Sequence, residues 1–206
     1  MMKRKRPVAI LAQVVLFSVL FAGCTHVYKA PVNLVKLDQQ REIIPLNVEL
    51  RLSDELRNAK WEKHSMGDTF VIPLGDALTQ NAESVTRHVF SEVAVNQGIK
   101  NEATSGVKAI LTPKMVLAER TVGATAFGES ILSVMLEWKM EDRNGNIIWI
   151  DTVKGEGKEN SGNIFTYKSN ARKQIEECVT DLFQNSFQAL SSSVEIIEFA
   201  KKKGSE

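Results

Sequence analysis

Leu132-Ser133-Val134-Met135-Leu136-Glu137-Trp138-Lys139-Met140, then Asp142-Arg143-Asn144-Gly145, then a second run from Ile147 to about Lys154: this stretch decides the fold. Leu132, Val134, Leu136, Trp138 and Met140 alternate with Ser133, Met135, Glu137 and Lys139. A period of two places one set on a buried face and the other on an open one, which predicts a strand. Asn144-Gly145 predicts a type I′ turn, whose twist matches that of the strands it joins. The segment reads as a β-hairpin.

Upstream, Leu46, Val48, Leu50 and Leu52 alternate with polar residues and predict another half-buried strand, ended by Ser53-Asp54. Thr69-Phe70-Val71-Ile72 reads as a short strand stopped by Pro73. From about Gly75 to Val95 the apolar spacing changes to 3.6: Leu78, Ala82, Val85, Val89, Phe90 and Val93 share one helical face, with Gly98 as the stop. Val107 to about Thr121 reads as a strand in which Pro113 marks a bulge or a sheet edge. Downstream, Ala171, Ile175, Cys178, Val179, Leu182, Phe183, Phe187 and Leu190 form one stripe of a long helix from about Asn170 to Leu190. Ser191-Ser192-Ser193 breaks it before a short amphipathic segment, Val194 to Phe199. The expected fold class is α+β: a two-layer sandwich with a mostly antiparallel sheet of about 4–5 strands and two long helices packed on one face. Four regions are expected: 1–23, a leader; 24–45, a tether; 46–200, a single domain; and 201–206, a basic tail.

With 43% apolar, 25% charged and 7% aromatic residues, the composition is that of a globular chain, not of a disordered or collagenous one. Net charge is +1, but Lys3, Arg4, Lys5 and Arg6 account for four of the 26 bases. Beyond residue 23 there are 22 bases against 25 acids, near −3, so no nucleic acid is expected as a partner. After the basic cluster comes an apolar run from Val8 to Gly23, about 16 residues and shorter than the ~20 of a stable bilayer span. Charges, apolar core and small residues before a cut site are the marks of a secretory signal peptide. Leu20-Phe21-Ala22-Gly23-Cys24 resembles the lipobox of bacterial lipoproteins, with Phe21 where leucine is usual. That resemblance implies a diacylglyceryl group on the Cys24 thiol, cleavage before it and acylation of the new amine. Two acyl signals suffice for stable anchoring, since each buried CH₂ contributes roughly 0.8 kcal/mol. Thr25, in place of aspartate, implies export to the outer membrane. Cys178 would then be the one thiol left, so no internal disulfide is expected.

Catalytic chemistry finds no foothold. His26, His64 and His88 have no ligand-like neighbours at helical spacing, so no metal site is expected. Cys178 lies in an apolar stripe, where a thiol is inert. Gly123-Ala124-Thr125-Ala126-Phe127-Gly128-Glu129-Ser130 approaches a phosphate-binding loop, but Glu129 would repel a phosphate and a strand follows where a helix is needed. Ser105-Gly106-Val107-Lys108 matches S-x-x-K without the helix that chemistry requires. Asp142 to Asn146 reads as a turn and not a calcium loop, and Gly155-Glu156-Gly157-Lys158 as a glycine-rich loop leaving a strand. No enzyme activity and no cofactor is expected.

Gly75-Asp76-Ala77-Leu78-Thr79-Gln80-Asn81-Ala82, continuing to Val93, is similar to the first long helix of several small envelope lipoproteins. The stretch from Ala171 to Leu190, with its serine break and Ile196-Ile197-Glu198-Phe199, resembles the YajG-like lipoproteins in layout. Auxiliary lipoproteins of ABC-type lipid transporters and lipopolysaccharide-assembly lipoproteins share this plan. The resemblance implies a non-enzymatic accessory role at the periplasmic face of the outer membrane, with Cys24 as the one functional residue carried over. The expected partners are outer-membrane lipid, through the anchor, and an envelope protein. The alternative is a carrier holding a lipid or other apolar ligand between sheet and helices, against Phe90, Leu136 and Phe183.

Overall fold

In the structure, a computed structural model that describes residues 25–37, 41–65, 68–96, 106–122, 129–160 and 167–204, twelve elements succeed one another. They are β1 (Thr25–Val27), β2 (Ile44–Arg51), α1 (Asp54–Arg57), β3 (Lys60–Ser65), β4 (Asp68–Pro73) and α2 (Gly75–Val89). Then come β5 (Phe90–Asn96), β6 (Ala109–Val122), β7 (Glu129–Asp142), β8 (Ile147–Asn160), α3 (Tyr167–Ser192) and α4 (Val194–Gly204). The chain is α+β, with a five-stranded sheet of order β5-β2-β6-β7-β8 and a three-stranded sheet of order β1-β4-β3.

The predicted hairpin is present and longer than its sequence reading. β7 pairs antiparallel with β8 from Glu129↔Asn160 to Glu141↔Ile147, and Leu132, Val134, Leu136, Trp138 and Met140 are all buried. Its turn is not type I′. The Gly145 N–H donates to the Asp142 carbonyl at 3.1 Å, which centres the turn on Arg143-Asn144, and Gly145 takes φ +84°. This is a three-residue loop, a type I turn followed by a left-handed glycine. The Asp142 carboxylate, accepting from the Asn144 and Asn146 backbone and from Asn146 Nδ2, holds that geometry.

Three further expectations are corrected. The sheet is not mostly antiparallel: β2 pairs in parallel with both β5 and β6, and only β6-β7-β8 is antiparallel. Parallel neighbours are joined by long crossovers, so no local turn announces them. The helix from Gly75 ends at Val89 rather than Val95; Phe90 is extended at φ −112°, ψ 148°, and its segment pairs with β2. Phe90 and Val93 fit the helical spacing of three, Val93 and Val95 the strand spacing of two, and pairing with β2 decides between them. Third, Gly155 to Lys158 lie within β8, opposite Val134 to Ile131, and do not leave a strand.

Those glycines have a packing role. A Cβ on Gly155 would stand 2.4 Å from Leu182 Cβ, and one on Gly157 would stand 1.9 Å from the Gln174 carbonyl oxygen. α3 therefore lies directly on the backbone of β8. Its whole predicted stripe, from Ala171 to Leu190, is buried. Trp138 Nε1 donates to Ser186 Oγ at 3.0 Å, and Ser186 donates to the Leu182 carbonyl, so the buried indole is satisfied. α2 contacts β5, β2 and α3. Each fully buried leucine of this core, Leu50 and Leu136 among them, contributes about 1.5–3 kcal/mol.

Pro113 stands beyond Leu111, the last β6 residue paired with β2, so its missing N–H costs no ladder bond. The irregularity in β6 lies at Met115/Leu117 instead. β3 carries one buried side chain, Trp61, and offers no alternation to read. Lys201 to Lys203 form the last turn of α4, where cations face the helix's negative end.

Candidate functional site

Cys24 lies outside the described residues, and the chain from Thr25 onward is the region to which an anchor would be attached. The segment expected to be a tether lies against the domain over residues 25–37. Thr25, His26 and Val27 pair in parallel with Thr69, Phe70 and Val71, and the Tyr28 N–H donates to the Val71 carbonyl at 2.8 Å. The His26 ring stacks on Phe70 at 5.1 Å, and Tyr28 flanks the same ring at 6.4 Å. His26 Nε2 is 3.5 Å from Asp68 Oδ2. Farther along, the Asn81 carboxamide accepts from the Val35 N–H at 2.8 Å and donates to the Asn33 and Ala77 carbonyls. Asn81 is buried in the apolar stripe of α2, beside Ala77, Leu78 and Ala82. A polar residue inside such a stripe is the one sequence signal that could have foretold this docking, because a buried amide must find partners.

The other candidates fall apart in space or sink into the core. His64 (β3) is exposed, with Nδ1 2.9 Å from Thr69 Oγ1 and Nε2 3.2 Å from Glu62. His88 sits on α2, with Nδ1 2.7 Å from the Ser84 carbonyl. The structure brings neither histidine to the other, and among the described residues no cluster of three or more His, Cys, Asp or Glu could hold a metal ion. Gly123–Gly128 and Ser105 fall outside the described residues. Phe90, Leu136 and Phe183 belong to the packed core. A cleft of about 400 Å³ does exist elsewhere, between the entry to β2 and α4, lined by Ile43, Pro45, Ile197 and Ala200 with Arg41 and Lys201 at its side.

Cys178 is fully buried on α3, with Sγ 3.4 Å from the Gly155 carbonyl. Burial pushes its thiol up to about 12, so no thiolate is present near neutrality. In the folded protein Cys178 is expected to resist an aromatic disulfide reagent at about pH 8 and to react at once in denaturant; fast reaction without denaturant would contradict its place in the core.

A buried polar cluster, absent from the sequence reading, joins β6, β7, β8 and α3. Arg120 Nη2 donates to Glu159 Oε2 at 2.9 Å, and Arg120 Nε to Ser130 Oγ at 3.1 Å. Gln174 Nε2 donates to the Ser130 carbonyl at 2.7 Å and to that of Gly157 at 3.3 Å. Both charged side chains are almost wholly buried, and burial raises the Glu159 carboxyl above its ordinary value against the pull of Arg120. Glu159 Oε1 and Gln174 Oε1 have no hydrogen-bond partner among the described residues. Charges at strand ends read in a sequence as solvated, so nothing foretold this cluster. It ties the far ends of three strands to α3 and holds no exposed reacting group.

No protein-family model matches the chain, and no curated protein matches its sequence. Solved structures do match. A Xanthomonas campestris protein of family DUF330 is similar at TM-score 0.55 and 10% identity, covering 87% of this chain and 99% of its own. A minor lipoprotein of Acinetobacter baumannii has TM-score 0.48 and 15% identity over 73% of this chain and 94% of its own. A candidate lipoprotein of Caulobacter crescentus has TM-score 0.37 and 12% identity over 57% and 80%. At 10% identity the first likeness is one of fold, and the chain shares that fold with the Xanthomonas protein.

Proposed function

We propose that the chain is a bacterial envelope lipoprotein, held at the periplasmic face of the outer membrane through a lipidated Cys24. It acts without catalysis, as an accessory or scaffold for an envelope assembly or transport complex. The observation that carries this reading is the basic cluster, short apolar run and Leu20-Phe21-Ala22-Gly23-Cys24 sequence, placed immediately before the first strand of the fold. An acylated cysteine there supplies the anchor, and the described helices supply no other: none is long and apolar enough to cross a membrane. The scaffold role is supported by the separation of His88, on α2, from His26 and His64 in the small sheet, and by the burial of Cys178, so that among the described residues no histidine–cysteine cluster forms.

Replacing Cys24 with serine tests the reading. The wild-type chain is expected in the outer-membrane fraction and C24S in the soluble or inner-membrane fraction, because removal of the thiol ether removes the diacylglyceryl group. Crosslinking of the anchored protein is expected to enrich a defined envelope protein over a lipid-only control. Unchanged fractionation of C24S overturns the anchor, and an empty crosslink overturns the scaffold role.

A further inference from the structure

Resting on the proposed acylation of Cys24, we propose that the three-stranded sheet is pressed against the headgroups of the leaflet, so that the domain stands directly on the membrane instead of hanging from a tether. Chain length sets the alternatives. If the segment from Cys24 to Ile44 ran free, its 20 steps would reach about 70 Å. The structure withdraws nearly all of that reach. β1 is bonded into the sheet from Thr25 onward, and the Asn81 carboxamide holds the chain again at Asn33 and Val35. A trans peptide then puts the Cys24 Cα about 3.8 Å from that of Thr25, which leaves an acylated side chain no slack beyond its own length.

Register shows which part of the sheet meets the lipid. β1 runs parallel to β4, with Thr25 opposite Thr69. Thr69 follows Asp68, and Asp68 pairs with Ser65, the last described residue of β3. Thr25, the residue that would follow the anchor, and the Ser65–Asp68 pair therefore share one edge of the sheet. The side chains there suit headgroups and not acyl tails: Lys63, His64 and Ser65 are exposed, and His26 and Asp68 pair across the strands. Val27 is the exposed apolar residue of β1, at 56%. A polar edge of this kind, with Lys63 beside Glu62 and Asp68, carries charges of both signs and suits the headgroup layer, where no charge has to be buried in hydrocarbon. A partner of this protein is then one that presents itself within the headgroup layer.

The test uses the full acylated chain carrying Ser65→Cys with a nitroxide label; the buried Cys178 stays unlabelled. Vesicles of phosphatidylethanolamine and phosphatidylglycerol carry a nickel-chelating lipid, and the measured quantity is relaxation of the label by headgroup nickel. A second form has a flexible Gly-Ser insert of about 20 residues between Cys24 and Thr25, spanning about 25 Å r.m.s.. The expected result is relaxation several-fold greater in the uninserted form, with both forms bound to vesicles. Equal relaxation in two bound forms overturns the apposition and leaves the anchor standing. Failure of the uninserted form to bind vesicles overturns the anchor, and the apposition with it.

Discussion

Gly157→Ala is expected to lower the melting temperature by about 6–12 °C, from a loss of about 3 kcal/mol at roughly 2–4 °C per kcal/mol for a chain of this size. Its Cβ would meet three backbone atoms of α3: the Gln174 carbonyl oxygen at 1.9 Å, the Cys178 nitrogen at 2.8 Å and the Gln174 carbonyl carbon at 2.9 Å. Backbone in the middle of a packed helix has no rotamer with which to yield. Restoring an ordinary contact of 3.4 Å requires α3 to withdraw by about 1.5 Å. Withdrawal would open the interface that buries Cys178 and Leu182, and the same move would pull Gln174 from the Gly157 carbonyl. Thermal unfolding followed by circular dichroism measures the shift. A change within about 0.5 kcal/mol, the range of an ordinary surface substitution, would contradict the direct seating of α3 on β8.

Arg120→Met is expected to cost about 3–5 kcal/mol at neutral pH, or about 6–20 °C in melting temperature. The loss arises because the Glu159 carboxylate is left in the core without the cation 2.9 Å away. Its pH dependence identifies the cause. Burial holds the Glu159 carboxyl above its ordinary value of 4.5, so between that value and the folded one the native state binds more protons than the unfolded state. Stability then falls as pH rises through that window and returns as pH is lowered. The Arg120→Met variant is therefore expected to regain part of its loss as pH is lowered from neutrality toward the ordinary carboxyl value of 4.5, as Glu159 takes up a proton. Adding Glu159→Gln should abolish that recovery, and the pair Arg120→Met with Glu159→Leu should restore at least half of the stability, since apolar replacements of a buried ion pair are often neutral. Denaturant titrations at both ends of that pH range decide it. A pH-independent loss in the single variant would assign the cost to packing and contradict the ionic role.

How legible each element is in the sequence depends on how local its signal is. β7 and the stripe of α3 are readable because their periodicity runs unbroken for nine residues or more and each has a single buried face, and the start of β8 is readable because a turn returns the chain beside β7. The boundary between α2 and β5 is not, because Val89-Phe90 passes from helix to strand with no glycine, proline or capping residue, and the deciding partner, β2, is some 45 residues away in sequence. β1 and β3 are too short or too exposed to alternate, so the smaller sheet is invisible until β4 is seen between them. The two β8 glycines look like a loop in a sequence and prove to be the floor on which a helix rests. The buried cluster depends on four elements, and no spacing along the chain draws Arg120, Ser130, Glu159 and Gln174 together. The candidate anchor is legible for the opposite reason. Charge cluster, apolar run and cysteine lie within 24 consecutive residues and need no fold to be recognised.

The scaffold reading and the apposition of the small sheet both depend on the chemistry of Cys24. Intact-mass measurement of the protein extracted from membranes addresses it directly. The account requires a chain that begins at Cys24, lacks residues 1–23, and carries the added mass of a diacylglyceryl group with or without an amide-linked acyl chain, localised by fragmentation to that first residue. A chain that retains residues 1–23, or one whose Cys24 is a free thiol, would contradict it.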